Sequence, residues 1–143
     1  ANFWKKKYDN LILTNSNESF TLGKSSISSI HTPGHTPGSC CYSFDENLIA
    51  GDTLFVFGCG RCDLHGGNPE EMYNSLKSLK NHFSKNTIIM PGHNYSVKRQ
   101  STIQEEIEGN PFFSFNNLKD FISYRMHDHD KTREEPYGPI TLD

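Results

Sequence analysis

With 143 residues, a formal charge of −3 and a pI near 6.2, the chain has the size of one domain or part of one, and no basic run longer than Lys5-Lys6-Lys7 marks it for nucleic acid or an anionic membrane. Its apolar share of 34% rises only to about 42% with glycine, short of the roughly 45–50% of soluble domains, so its core is expected to be thin. No apolar run approaches the roughly 18 residues of a spanning helix and none follows the charges at the start, so the chain is expected to be cytoplasmic, without a signal peptide or membrane contact. It begins with Ala1 rather than Met, from which further residues upstream are expected.

In chain order, Leu11-Ile-Leu13 reads as a short strand and residues 15–18 as a turn. Phe20 to Ile30 carries β-type residues around Gly23, a hairpin signal, and runs into His31-Thr-Pro-Gly-His35-Thr-Pro-Gly38. Two histidines, two prolines and two glycines in eight residues suit neither helix nor strand. They suit a rigid loop that presents an imidazole, since proline fixes φ and glycine permits close backbone approach. Residues 40–44 and 48–50 flank the polar turn 45–47 as a second hairpin, and an apolar run, 53–57, leads into Gly58-Cys-Gly-Arg61.

Asn68 as N-cap, Pro69 in the first position and Glu70 and Glu71 in the first turn open a helix whose Met72, Leu76, Leu79 and Phe83 form one apolar stripe. Thr87 to Met90 reads as a buried strand, and the strand–helix–strand order predicts a layered α/β unit. A polar helix is expected over 96–108, closed by Gly109 and Pro111, and a shorter one over 117–126 with Leu118, Phe121 and Ile122 inward. The charged, proline-punctuated stretch 127–143 reads as a tail.

Three segments share one grammar: an apolar run or strand end, a glycine, then a metal-capable side chain, which gives His35, Asp52 after Gly51 and His93 after Gly92. A lone His or Asp in a loop is usually a capping group, but three at strand ends are expected to converge. Two imidazoles and a carboxylate with an open water position make the minimal catalytic zinc set, and a carboxylate can also bridge two metals. Metal chemistry of that kind yields hydroxide at neutral pH and predicts a hydrolase in which Asp52 also positions the attacking water. Cys59-Gly-Arg-Cys62 has redox-pair spacing, but residues 63–67 separate it from the next helix, and no second pair completes a zinc site. Reduced, non-catalytic thiols are the expectation, with a C-x-x-C redox protein as the weaker rival.

Residues 31–39 with Gly51-Asp-Thr-Leu-Phe55, Gly58-Cys-Gly-Arg61 and Pro91-Gly-His-Asn-Tyr95, in that order, resemble the second half of a metallo-β-lactamase-fold hydrolase of the hydroxyacylglutathione hydrolase (glyoxalase II) branch. Residues 60–67 and 110–115 look most like the zinc hydrolases that accompany polyketide synthases. The similarity runs from about Ser26 to Met126. It implies the C-terminal half of an αββα four-layer sandwich, with His35 as a ligand of the first zinc, Asp52 as the bridging carboxylate and His93 as a ligand of the second. Two Zn2+ ions are implied, with iron or manganese as alternatives. Arg61 and Tyr95 fall where that branch holds the thiol carrier of its substrate, so the implied partner is a small-molecule or carrier-protein-bound thioester. The family's first half should supply H-x-H-x-D-H, which this chain lacks; His127-Asp-His129-Asp130 is the only H-x-H and has no final histidine at the required spacing. A partner N-terminal half of the same domain is therefore expected, and a metal-free scaffold is the alternative.

Overall fold

The computed structural model describes residues 17–140. Strands β1 (Ser19–Leu22) and β2 (Ser25–His31) form the first hairpin, turning at Gly23, whose φ of +63° a side chain would resist. Strands β3 (Cys40–Phe44) and β4 (Asn47–Gly51) form the second. A small separate hairpin, β5 (Leu54–Phe55) and β6 (Gly58–Cys59), precedes helix α1 (Pro69–His82). Strand β7 (Ile88–Pro91) then returns parallel to β4, which makes β4–α1–β7 a crossover unit, and β8 (Ser101–Thr102) completes the order β1-β2-β3-β4-β7-β8. The strand expected at Leu11–Leu13 lies outside the described residues.

Helix α1 starts where its punctuation says. Asn68 Oδ1 accepts the backbone N–H groups of Glu70 and Glu71 at 2.9 and 3.2 Å, two donors that a helix start otherwise leaves unpaired. Its Met72, Leu76 and Leu79 are buried against one face of the sheet, where Cys41, Leu48, Ala50 and Ile89 are fully enclosed. Side chains alternate along a strand, so the paired registers put Phe20, Leu22, Ile27, Tyr42, Phe44 and Ile49 on the opposite face. There they line an open apolar cavity of about 470 Å³, and Leu22 and Ile49 remain 62% and 44% exposed. The expected α/β architecture holds: a mixed sheet with helices.

Two helix boundaries differ from expectation. Helix α2 runs only over Ile103–Gly109, because Ser101 and Thr102 pair with β7 as β8 and Thr102 is itself the N-cap of a capping box with Glu105. Residues 96–100 carry no apolar stripe to hold a helix. Helix α3 (Leu118–Ser123) starts at the Asn117 cap and buries Phe121, but the chain stays helical as a wider turn over Tyr124–Asp128 and then as α4 (His129–Thr132).

Of the stretch expected as a charged tail, residues 127–140 are held to the rest of the fold at a few points. His129 and Tyr137 are buried, Ser96 and Val97 bond the Tyr137 carbonyl, and the Ile140 N–H donates to the Gly109 carbonyl at 2.7 Å. Several of its charges are paired: Asp130 accepts from Arg125 at 2.7 Å, and Arg133 bonds Glu135 at 2.8 Å.

Candidate metal centre

The loops after β2, β4 and β7 meet at the same end of the sheet. The loop after β2 is anchored to α1 by Ser75 Oγ–H donating to the Pro33 carbonyl at 2.7 Å and by the Asn68 N–H donating to the Gly34 carbonyl at 2.8 Å. A buried hydroxyl pair, Thr32 Oγ1 and Thr53 Oγ1 at 3.0 Å, ties it to the loop after β4. The Gly92 N–H donates to the Gly51 carbonyl at 2.8 Å, which joins the loops after β4 and β7.

Between them sits Asp52. Its Oδ2 lies 3.6 Å from His35 Nε2 and its Oδ1 lies 3.4 Å from His93 Nε2, so each carboxylate oxygen faces one imidazole. Two donors on one tetrahedral ion, each about 2.0–2.2 Å from it, stand roughly 3.3–3.6 Å apart, so both pairs have a separation that ligands sharing an ion could take. His35 Nδ1 lies 2.9 Å from the Arg61 carbonyl; a carbonyl only accepts, so Nδ1 carries a proton, and in the neutral ring the lone pair is then on Nε2. Two imidazoles and a carboxylate are a donor set suited to a divalent metal, which His35, Asp52 and His93 would hold. Among the described residues no group of three or more His, Cys, Asp or Glu side chains is gathered around one point, so the expected convergence extends to two His–Asp pairs that share Asp52 and not to a closed three-ligand set.

Two glycines make this approach possible. A Cβ on Gly60 would stand 1.9 Å from the Asp52 carbonyl oxygen and 3.2 Å from His35 Cβ, and a Cβ on Gly92 would stand 2.5 Å from Asp52 Oδ1. Any side chain at either position pushes a ligand away.

Around the side chains of His35, Asp52 and His93 opens a cavity of about 490 Å³ that also takes in Arg61, Tyr95, Arg125 and Tyr137. Tyr95 is stacked on His93 with ring centroids 5.1 Å apart and stands edge-on to Phe55 at 5.3 Å. The Arg61 guanidinium is held by Asp63 through Nε–H and Nη2–H bonds of 2.7 and 2.6 Å, and that pairing lowers the Asp63 carboxyl to about 2. Arg125 went unnoticed in the sequence. It is 5% exposed, donates to Asp130 and faces His129 Nδ1 at 3.0 Å. His129 packs among Phe112, Tyr124 and Tyr137, and burial followed by the Arg125 charge lowers its pKa to about 4. It sits in a packed aromatic setting, and His127 is exposed, so the H-x-H of residues 127–129 is not turned toward Asp52 as a ligand pair.

All four cysteines are free. Burial pushes the Cys59 and Cys41 thiols up, and Cys62 up to about 11, the reverse of the exposed, acidified thiol a redox pair needs.

A family model described as the metallo-beta-lactamase superfamily matches residues 5–93. The chain is 30% identical over 129 residues to "Probable polyketide biosynthesis zinc-dependent hydrolase PksB" of Bacillus subtilis, covering 90% of this chain and 57% of that protein. It is 36% identical over 110 residues to the hydroxyacylglutathione hydrolase of Dictyostelium discoideum, covering 69% and 40%. The crystal structure of ETHE1 from Myxococcus xanthus superposes with a TM-score of 0.76 at 28% identity, over 81% of this chain and 52% of that one. The chain thus spans about half the length of the curated relatives it matches.

Proposed function

Since the chain belongs to the metallo-beta-lactamase superfamily, we propose that it supplies one half of the active site of a zinc-dependent hydrolase that cleaves thioesters, either small-molecule or held on a carrier protein. The observation that carries the reading is the Asp52 carboxylate with one imidazole Nε2 facing each of its oxygens. His35, Asp52 and His93 would hold the metal, and the relative named a zinc-dependent hydrolase supports zinc for it. When bound there, the ion supplies Lewis acidity and a water that ionises near neutral pH.

The residues of this chain do the rest by placement. The Arg61 carbonyl keeps the His35 Nε2 lone pair forward, and Asp52, as an acceptor beside both histidines, orients water toward the open cavity. Tyr95, half exposed on the His93 ring, offers a hydroxyl to a polar substrate, and the Arg61 fork offers charge to a carrier arm. A thiol has an ordinary pKa of about 8.5, so it leaves as thiolate without a strong acid beside it. The buried, protonated Cys59 and Cys62 are unsuited as nucleophiles.

The open sheet face supports the proposed partner. Phe20, Leu22, Ile27, Tyr42, Phe44 and Ile49 form an apolar surface of the kind that a second sheet covers, and a segment seated there would complete the ligands around Asp52. The test is thioester turnover, read as released thiol, by the full-length protein and its Asp52→Asn variant. A neutral Asn cannot bridge two cations, and turnover is expected to fall by about a hundredfold or more, worth about 3 kcal/mol of barrier. Near-normal turnover by the variant would remove Asp52 from the reaction, and hydrolysis of oxygen esters alone would overturn the thioester assignment.

A further inference from the structure

Glu106 is fully buried, a costly place for a carboxylate unless donors surround it. The donors come from three separate segments. The Ser101 hydroxyl donates to Oε1, the Asn110 side-chain amide donates to Oε2 at 2.7 Å, and the Phe57 backbone N–H donates to Oε2 at 3.0 Å. The Asn110 amide also donates to the Gly58 carbonyl at 3.1 Å. Two of these bonds therefore land on the reversal between β5 and β6, where Phe57 has a φ of +58°, a conformation its side chain resists. An apolar residue at 106 would fill the space and leave the buried Phe57 N–H without its acceptor.

The same hairpin runs on from β6 into Gly60, seated against the Asp52 carbonyl, and Arg61, whose carbonyl accepts the His35 Nδ1–H. We propose that Glu106, with Asn110, is a positioning residue: it locks the β5–β6 reversal, so that the Arg61 carbonyl stays beneath His35 and selects the tautomer whose Nε2 is free to bind metal. The last step rests on the metal-centre reading above, whereas the tautomer belongs to the metal-free chain.

A residue that only stabilised the fold would lower the melting temperature and leave His35 alone. The experiment is 15N NMR of the His35 ring nitrogens in the full chain without metal, at a pH well above the ordinary histidine pKa, paired with zinc titration against a competing chelator. Wild type is expected mainly with the proton on Nδ1. Glu106→Gln and Asn110→Ser, the latter keeping a cap oxygen for the Phe112 N–H, are expected to move His35 toward the Nε2–H form and to weaken zinc binding by about tenfold, the usual scale for groups that orient a ligand. Leu79→Ala, which empties core volume beneath the sheet, should lower the melting temperature and leave both readouts in place. If Glu106→Gln does not fold, Asn110→Ser decides. An unchanged His35 tautomer in the variants that fold, or a wild-type His35 already carrying its proton on Nε2, overturns the proposal. Zinc that fails to bind the full-length wild-type protein, while the variants shift the His35 tautomer as expected, leaves the positioning role standing and removes the metal-centre reading instead.

Discussion

Two buried groups give this chain opposing pH dependences, and removing one exposes the other. Burial raises the Glu106 carboxyl from its ordinary 4.5 to about 7, against the pull of Ser101, Asn110, the Phe57 N–H and the more distant Lys98 charge. Between those pH values the unfolded chain has lost the proton and the folded chain keeps it, so stability falls as pH rises, by about 3 kcal/mol for a shift of about 2.5 units. His129 behaves oppositely. Its pKa drops from 6.5 to about 4, so from pH 4 to 6.5 the unfolded chain binds the extra proton and stability rises with pH by a similar amount. In the wild type the two slopes nearly cancel between pH 4.5 and 6.5. In Glu106→Gln only the histidine slope remains, so the stability of the variant relative to wild type should grow by about 3 kcal/mol from pH 4.5 to 7, whatever its starting offset. The assay is urea unfolding of both chains across that range with a chelator present, where such a change moves the midpoint by about 1–3 M. Groups common to both chains drop out of the difference. Stability curves that stay parallel from pH 4.5 to 7 would refute the raised pKa of the buried Glu106.

Gly60→Ala should cost about 1–3 kcal/mol of stability from overpacking and should weaken zinc binding at the same time, because its methyl group meets the Asp52 carbonyl and the His35 side chain; Gly38→Ala, with no heavy atom within 4 Å of the added carbon, should change neither, as calorimetry with zinc titration would check. In the full-length protein Arg61→Ala should raise the KM for a carrier thioester about tenfold or more with kcat little changed, and a fall in kcat at constant KM would contradict a substrate-holding role.

The metal-capable trio was legible because each member follows an apolar strand and a glycine, and strand ends of one sheet meet in space. Helix α1 was legible for a similar reason: its cap, first-turn acids and apolar stripe are all local. The rest depended on distant partners. Residues 96–100 have helix-compatible composition, but β8 pairing with β7 and the Thr102 cap fix the helix start seven residues later. Residues 127–140 looked solvated because they are charged, yet Arg125, Asp130, Arg133 and Glu135 are paired, and Tyr137 and His129 pack against each other. Glu106 read as one more acid on a polar helix; its donor at Phe57 lies 49 residues away, beyond any periodicity.

On the proposed function, the open sheet face and the Asp52 cluster would be completed by the same segment. Within this chain each oxygen of Asp52 faces one histidine, and a catalytic ion takes three protein ligands, so a metal held here would call for donors beyond these. The apolar face of β1–β4 belongs to the same sheet whose strand ends carry Asp52 and His35, so a sheet laid on Phe20, Tyr42, Phe44 and Ile49 would bring its own strand ends to the same edge as the ligands. Covering the face and filling the coordination shell would then be one event, and any free energy of metal binding would appear as stability of the joined halves, by the linkage that makes a ligand for the assembled state stabilise it. The loops after β2, β4 and β7 are already pinned by the Thr32–Thr53 pair, the Gly92–Gly51 bond and the Arg61 carbonyl. With their geometry set before assembly, the joining segment would need only to bring ligands, without reorganising those that this chain holds.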